Sequence, residues 1–231
     1  MLKRTLALLC LALSLQANAG FISDYSLDAS ANIVTNSANG LQWLQWDETV
    51  GQSIDWFYNS ADAQGLRDEG WVIANNRQMA GLFNDFGFGG IGWDTDENTS
   101  QTLQTGFDGP IELATDVELI FVSLFGDTHL AGGGRVFPGP RQSSQARFGY
   151  DLDGDGEYNW ARIADDYQLD VAEAYKQGIV QLAADEGDIF LSFPTSGLAL
   201  VKTNSIPEPS SLALLSLALV SLRVFRRKKA A

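Results

Sequence analysis

The residues best suited by type and spacing to do chemistry lie in one short acidic stretch. Residues 151–157 read D-L-D-G-D-G-E. Oxygen donors fall at alternating positions, and the glycines let the backbone turn back, as in loops that wrap a hard cation such as Ca²⁺. We therefore expect a calcium site with Asp151, Asp153, Asp155 and Glu157 as its ligands.

The spacing also shows what kind of calcium loop this is. In the register of an EF-hand, the three aspartates take positions 1, 3 and 5, and Glu157 offers its carbonyl at position 7. Position 12 is Arg162 in place of the bidentate Glu. The residues on both sides have the pattern of strands, so the sequence favours a β-hairpin loop. Asp165 or Asp166 could complete the coordination shell of the ion. The alternative is an acidic hairpin tip without an ion, since Asp-Gly is a common turn pair.

Two other places could carry chemistry. Residues 93–98 read W-D-T-D-E-N, and they suit a cation, a sugar stacked on Trp93, or simply a solvated loop. His129 is the only histidine. A Ser-His-Asp site would need it, but no G-x-S-x-G turn is present and one histidine cannot build a histidine-rich zinc site. The single cysteine, Cys10, lies in the amino-terminal apolar run.

Charge and composition exclude several functions. The chain has 231 residues and a net charge of −14, but residues 20–205 carry 28 acidic and 8 basic residues, a net of −20. Such a body lacks the basic face that nucleic-acid binding needs, and an anionic membrane surface would repel it. With 45% hydrophobic residues over its full length, the chain is too apolar to be disordered, so we expect a globular body. Among 28 acidic residues some pairs of carboxylates always lie close together, but nothing in the sequence singles out one pair for glycoside hydrolysis. We therefore expect that the body is not an enzyme.

Helices and strands that would position these residues can be placed from the pattern. Three segments combine a capping residue with apolar side chains at helical spacing. These segments are Ile54–Leu66 behind Ser53, the residues from Asn75 or Asn76 to Gly87, and the residues from the capping box Thr115–Glu118 to Gly126.

Short β-branched or aromatic runs bounded by Gly, Asp or Pro predict strands. These runs are Asn32–Val34, Leu41–Trp46, Trp71–Ala74, Gln145–Tyr150, Tyr158–Ile163, Ile189–Phe193 and Leu198–Lys202. Helices dominate the first half and strands the second, which predicts an α+β fold of one domain. Trp43 and Trp71 are expected in the core, with Trp46 on the opposite strand face from Trp43.

The amino terminus has the three parts of a secretory signal. Residues 1–19 carry two bases, an apolar run and then A-N-A, which predicts cleavage between Ala19 and Gly20. The run is too short to cross about 30 Å of hydrocarbon.

The carboxyl terminus, residues 206–231, also has three parts. A rigid, helix-breaking segment, Pro207-Glu208-Pro209, precedes an apolar stretch that extends to Phe225. As a helix this stretch is on the order of 24 Å long, enough for a marginal transmembrane span. The basic residues that follow would keep the end in the cytoplasm and the body outside. They are Arg226, Arg227, Lys228 and Lys229.

This tripartite end resembles the PEP-CTERM sorting signal of Gram-negative bacteria, also catalogued as an ice-binding-protein carboxyl-terminal domain. The resemblance implies recognition by an exosortase, cleavage near Pro-Glu-Pro, and release or transfer to the cell surface. Proteins of this kind usually accompany exopolysaccharide production. The flat Thr-rich repeat that would order water is absent from the sequence, and the alternative for the tail is a plain membrane anchor.

The body resembles exported bacterial domains of the Lcl/DUF1566 family, which are similar to C-type-lectin-like folds. The stretches that carry the resemblance are N-G-L-Q-W-L-Q-W-D-E-T-V-G-Q-S (39–53), G-W-V-I-A-N-N-R-Q-M-A-G-L-F-N-D-F-G (70–87), L-F-G-D-T (124–128) and G-L-A-L-V-K (197–202). The family's usual Arg after Gly-Trp is Val72 here, and its helix Glu is Gln78. The resemblance therefore implies a fold rather than an activity.

Together these features predict an exported protein with a signal peptide (1–19), an α+β domain (20–205) and a sorting tail (206–231). The expected partners are an exosortase, the membrane before processing, and extracellular polysaccharide or matrix. The expected destination is the cell surface or the exterior. The alternatives are a secreted carbohydrate-active enzyme and a tail-anchored structural protein.

Overall fold

Two five-stranded sheets and a few short helices make up the computed structural model, which describes residues 21–88, 92–104, 117–131, 142–164 and 178–203. The strands are β1 (Tyr25–Asp28), β2 (Ile33–Asn36), β3 (Leu41–Leu44), β4 (Val72–Ile73), β5 (Gln101–Gln104), β6 (Ser143–Phe148), β7 (Asn159–Ala164), β8 (Ile179–Ala183), β9 (Gly197–Leu198) and β10 (Leu200–Thr203). The helices are α1 (Ile54–Asn59), α2 (Gln64–Asp68), α3 (Asn76–Asp85), α4 (Val117–Phe125) and α5 (Thr128–Ala131), with 3-10 turns at Ile22–Asp24 and Trp46–Thr49. The predicted α+β class is confirmed.

The first sheet has the strand order β1-β2-β3-β10-β4, with antiparallel pairing throughout. Trp43 of β3 is paired with Val34 on one side and Val201 on the other. The last described strand, β10, therefore lies inside the sheet, between β3 and β4. The body is complete as a sheet only when the residues just ahead of the tail are in place.

The second sheet has the order β5-β8-β7-β6-β9. All its pairs are antiparallel except β6 with β9, which is parallel. The β6–β7 ladder ends with Phe148 opposite Asn159. Residues 149–158, including the acidic stretch, thus form the loop of this hairpin.

One short segment joins the two sheets. Between β9 and β10, the buried Ala199 donates its N–H to the carbonyl of Arg147 at 3.0 Å, and its carbonyl accepts from the N–H of Ala74 at 2.8 Å. Because β9 belongs to one sheet and β10 to the other, this segment fixes the position of each sheet against its neighbour.

Aromatic side chains fill the main core. Phe121 and Phe125 of α4 stack at 4.2 Å between ring centroids, and Trp46 contacts both rings edge-on or tilted. Trp43 and Trp71 are buried as predicted. The prediction for Trp46 was wrong: the strand ends at Leu44, and the 3-10 turn that follows swings Trp46 inward until it is fully buried.

Two of the three predicted helices are confirmed in the described residues, and the first is corrected. Helix α3 begins at a capping box in which the Asn75 side chain accepts from the N–H of Gln78 and the Gln78 side chain accepts from the N–H of Asn75. The segment predicted as Ile54–Leu66 is two helices, because the backbone becomes extended at Ser60. The Ser60 hydroxyl there accepts from the N–H of Asp62, a local bond that competes with the helix.

The strand predicted at Ile189–Phe193 was wrong. Asp188 caps a turn there, accepting from the N–H groups of Phe190 and Leu191. The other predicted strands lie within a few residues of observed ones, apart from the 3-10 turn at Trp46. Strands β1, β5 and β8 were not predicted.

Several predicted features lie outside the described residues: the signal peptide with Ala19 and Gly20, Thr115, Asp165, Asp166 and the whole tail from 206. Within the described ranges, none of the helices has the length and apolarity needed to cross a bilayer.

Candidate cation and ligand site

Three carboxylates converge in the acidic loop, which we define as residues 151–157. One oxygen from each of Asp151, Asp153 and Asp155 lies within 4.8 Å of the others. Asp151 is half-buried, and the other two are exposed. These are the three aspartates that the sequence predicts as ligands at alternating positions.

The loop backbone holds these carboxylates in place. Asp151 accepts from the N–H of Gly154 at 2.7 Å, and Asp155 accepts from the N–H of Glu157 at 2.8 Å. Gly154 and Gly156 have φ of +83° and +84°, which side-chain-bearing residues rarely adopt. The glycines thus let the loop fold back so that the aspartates face one another. The Glu157 carboxylate is not one of the three that converge, and its predicted ligand is the backbone carbonyl.

A second acidic segment, residues 93–98, packs against this loop. Glu97 accepts from the N–H of Leu152 at 3.2 Å, and the Asn98 amide donates to Asp153 at 2.9 Å. The side-chain amide of Asn159 donates to the Glu97 carbonyl at 2.9 Å. The two acidic stretches noted separately in the sequence therefore form one surface. Their contacts join residues 55 positions apart, which no local pattern could reveal.

Trp93 does not offer its ring to a ligand. It is only 7% exposed, donates its indole N–H to the Phe88 carbonyl at 2.6 Å, and packs edge-on against Phe83. The interpretation of Trp93 as a sugar-stacking residue is wrong, because the apolar ring contributes to the core.

Beside this segment is a small cavity of about 10 Å³. That is roughly the space one water molecule needs. Its polar lining comes from Asn76, Asp94, Asp96, Thr99 and Asn159.

His129 lies on the short helix α5. Its backbone N–H donates to Asp127 at 3.1 Å. Its ring Nε2 is buried and has no hydrogen-bond partner among the described residues. The same Asp127 oxygen also accepts from the N–H groups of Leu130 and Ser143. Asp127 thus fixes the backbone at the start of α5.

Two tyrosines that bracket the acidic loop, and a third on α1, were not predicted as functional. Tyr58 on α1 is 40% exposed, Tyr150 just before the loop is 36% exposed, and Tyr158 just after it is half-buried. We call these three residues the aromatic shelf. The Tyr150 hydroxyl donates to the Ile73 carbonyl at 2.9 Å. A partial signal was available, since Tyr150 and Tyr158 bracket the acidic loop in the sequence.

The shelf residues influence one another. Burial raises the pKa of Tyr58 to about 12, and the neighbouring phenols of Tyr150 and Tyr158 contribute to the rise. Burial also raises the pKa of Tyr158, with a further contribution from Asp151 of the acidic loop. Tyr158 and α1 also lie against the same turn, since the Tyr158 N–H donates to the Gly187 carbonyl at 3.0 Å and the Asp55 N–H donates to the Ile189 carbonyl at 2.9 Å.

Comparison with known proteins identifies the tail. A family model described as the PEP-CTERM protein-sorting motif matches residues 205–229. The chain thus carries the motif of an exported protein that an exosortase sorts through a membrane-anchored intermediate. No curated protein and no solved structure matches the chain, so the Lcl/DUF1566 resemblance and the C-type-lectin-like fold are not confirmed.

Proposed function

We propose that the body of this exported protein is a non-enzymatic domain that binds extracellular polysaccharide or matrix, with Ca²⁺ held in the acidic loop. The observation that carries the proposal is the convergence of Asp151, Asp153 and Asp155 within 4.8 Å in a loop bracketed by Tyr150 and Tyr158. The sorting motif supplies the destination, because it directs an acidic domain to the exterior.

The chemistry of the loop supports a cation. Two like charges about 4 Å apart repel by about 1 kcal/mol in water, and by more near a protein surface. A bound divalent cation would turn this repulsion into attraction. Carboxylate and carbonyl oxygens on a flexible loop are the donors that Ca²⁺ prefers, whereas Mg²⁺ requires tighter octahedral geometry. With no bidentate Glu at the last loop position, we expect a weak site, with a Kd on the order of 10⁻⁴–10⁻³ M.

The arrangement favours binding over hydrolysis. The clustered carboxylates project from a hairpin loop where Asp153 and Asp155 are exposed, and the neighbouring cavity is far smaller than a sugar ring. Glycoside hydrolysis requires two carboxylates placed on either side of a bound glycosidic bond. A surface loop beside partly exposed tyrosines is better suited to holding a chain than to cutting it.

Calcium should stabilise the protein through this loop. We expect Ca²⁺ to raise the Tm in thermal melts, with saturation as the concentration passes the Kd. The double variant Asp153→Asn/Asp155→Asn should lose this rise, while its stability without Ca²⁺ should not fall, because the repulsion is relieved. NaCl at matched ionic strength and Mg²⁺ serve as controls for screening and for ion size. A calcium shift of the same size in the double variant would refute this site.

The sorting motif predicts that the tail is removed during export. Mass spectrometry of the mature protein from its own cell envelope should detect peptides of the body but none from residues 212–229. The matched control is the variant Pro207→Ala/Pro209→Ala, which should keep the tail in the membrane fraction. An intact tail on the mature wild-type protein would contradict processing and favour a plain membrane anchor.

A further inference from the structure

The aromatic shelf is a fixed surface built from three places in the chain. Tyr58 comes from α1, Tyr150 follows β6, and Tyr158 precedes β7. The Tyr150 hydroxyl is tied to the backbone of β4 through the Ile73 carbonyl. The Tyr158 N–H donates to the Gly187 carbonyl at 3.0 Å. A surface held by such bonds loses little conformational entropy when it binds a ligand.

A fourth aromatic residue lies next to the shelf. The turn that carries Phe190 is held against α1, since the Asp55 N–H donates to the Ile189 carbonyl at 2.9 Å. Phe190 is 68% exposed, and Asp55 lies one helical turn before Tyr58. This turn therefore extends the aromatic surface beyond α1.

Among the described residues, most charged groups around this surface are acidic. Apart from the aspartates proposed to hold Ca²⁺, the acidic residues are Asp55 on α1, Glu157 on the loop, and Glu186 and Asp188 on the facing turn. Two cations lie nearby, and both use their guanidinium groups on backbone carbonyls: Arg147, 1% exposed, donates to Gly187 and Leu191, and the half-buried Arg67 donates to Phe57 and Ser60. A ligand at the shelf therefore meets more negative than positive charge, which disfavours anionic chains.

We propose that the aromatic shelf binds an uncharged, hydroxyl-rich polysaccharide. The C–H face of a pyranose ring packs against the tyrosine rings, which combine a large apolar area with a polar hydroxyl. Sugar hydroxyls donate to the surrounding carboxylates that do not hold Ca²⁺, and hydrogen bonds to an ionised acceptor are the stronger kind. This inference rests on the proposed function and specifies its ligand class.

The test measures co-sedimentation of the full chain, in mild detergent with Ca²⁺, with three insoluble or cross-linked glycans. These are an uncharged β-glucan, anionic alginate and cationic chitosan. We expect retention on the β-glucan that persists at raised NaCl, little on alginate, and salt-sensitive retention on chitosan from the net charge alone. Tyr58→Ala should weaken β-glucan binding by about fivefold or more and leave chitosan retention unchanged.

The matched control is Phe21→Ala. Phe21 is 67% exposed but precedes β1, at the opposite edge of the first sheet from β4. These edges are about 19 Å apart at the usual strand spacing. A second measurement needs no variant: bound β-glucan should protect the shelf tyrosines of the wild-type protein from iodination.

The outcomes separate this inference from the proposed function. Binding to alginate but not to β-glucan would overturn the ligand class and leave polysaccharide binding in place. Binding to β-glucan without tyrosine protection, and unchanged by Tyr58→Ala, would overturn the location. Retention on none of the glycans beyond the salt-sensitive chitosan effect would overturn both.

Discussion

Gly197→Ala is expected to destabilise the protein by several kcal/mol. A Cβ at this position would come closer than 3.0 Å to the backbone carbonyl of Trp46 and to the Thr49 hydroxyl. Backbone cannot move aside as a flexible side chain can, so β9 would have to separate from the 3-10 turn. That turn is tied to β9 by the Thr49 hydroxyl, which accepts from the Leu198 N–H at 2.7 Å. We expect a loss of about 3 kcal/mol or more, seen as a lower midpoint in urea.

The matched control for this variant is Gly81→Ala. Gly81 lies inside α3, and a Cβ there meets nothing within 4 Å. Alanine is the better helix former by about 1 kcal/mol, so this variant should be more stable than wild type. Equal stability of Gly197→Ala and wild type would show that β9 does not pack on the turn as described.

Arg147→Ala is expected to have the second large effect. Arg147 lies on β6 with 1% of its surface exposed, and its guanidinium donates to the carbonyls of Leu191, at 3.0 Å, and Gly187. Hydrogen bonds from a charged donor contribute about 1.5–3 kcal/mol each. We expect a loss of about 3 kcal/mol in the free energy of unfolding, together with faster hydrogen exchange in residues 184–196.

Two further variants sharpen this test. Arg147→Lys keeps the charge but lacks the planar guanidinium that reaches two carbonyls. This variant should therefore lose most of the free energy of unfolding that Arg147→Ala loses. Arg77→Ala removes an exposed arginine on α3 and should change stability by less than about 0.5 kcal/mol. If Arg147→Lys were as stable as wild type, charge rather than the paired carbonyl contacts would hold the turn.

Elements with local signals were predicted well from the sequence. The capping box at Asn75 and Gln78 and the apolar spacing of α3 are contained within about ten residues, and the structure confirms both. The acidic loop could likewise be predicted from the sequence, since its aspartates and glycines alternate over seven positions. Where local chemistry decides the conformation, the prediction and the structure agree.

Elements decided by distant partners were not predictable in this way. Strand β5 reads Gln-Thr-Leu-Gln, which carries little β signal, and it forms by pairing with β8. Residues 189–193 look like a strand, but Asp188 and Arg147 use the backbone groups a strand would need. The joining of the two acidic segments likewise depends on contacts between residues 55 positions apart.

We expect the exported domain to bind polysaccharide outside the cell only when Ca²⁺ is present. The direct measurement is co-sedimentation of the mature protein with the exopolysaccharide of its own cells, with Ca²⁺ or with a calcium chelator. We expect the wild-type protein to sediment with the polysaccharide in Ca²⁺ and to be released by the chelator, and we expect the Asp153→Asn/Asp155→Asn variant to stay in solution. A protein that stays in solution in Ca²⁺, or one whose retention neither the chelator nor the double variant changes, would contradict it.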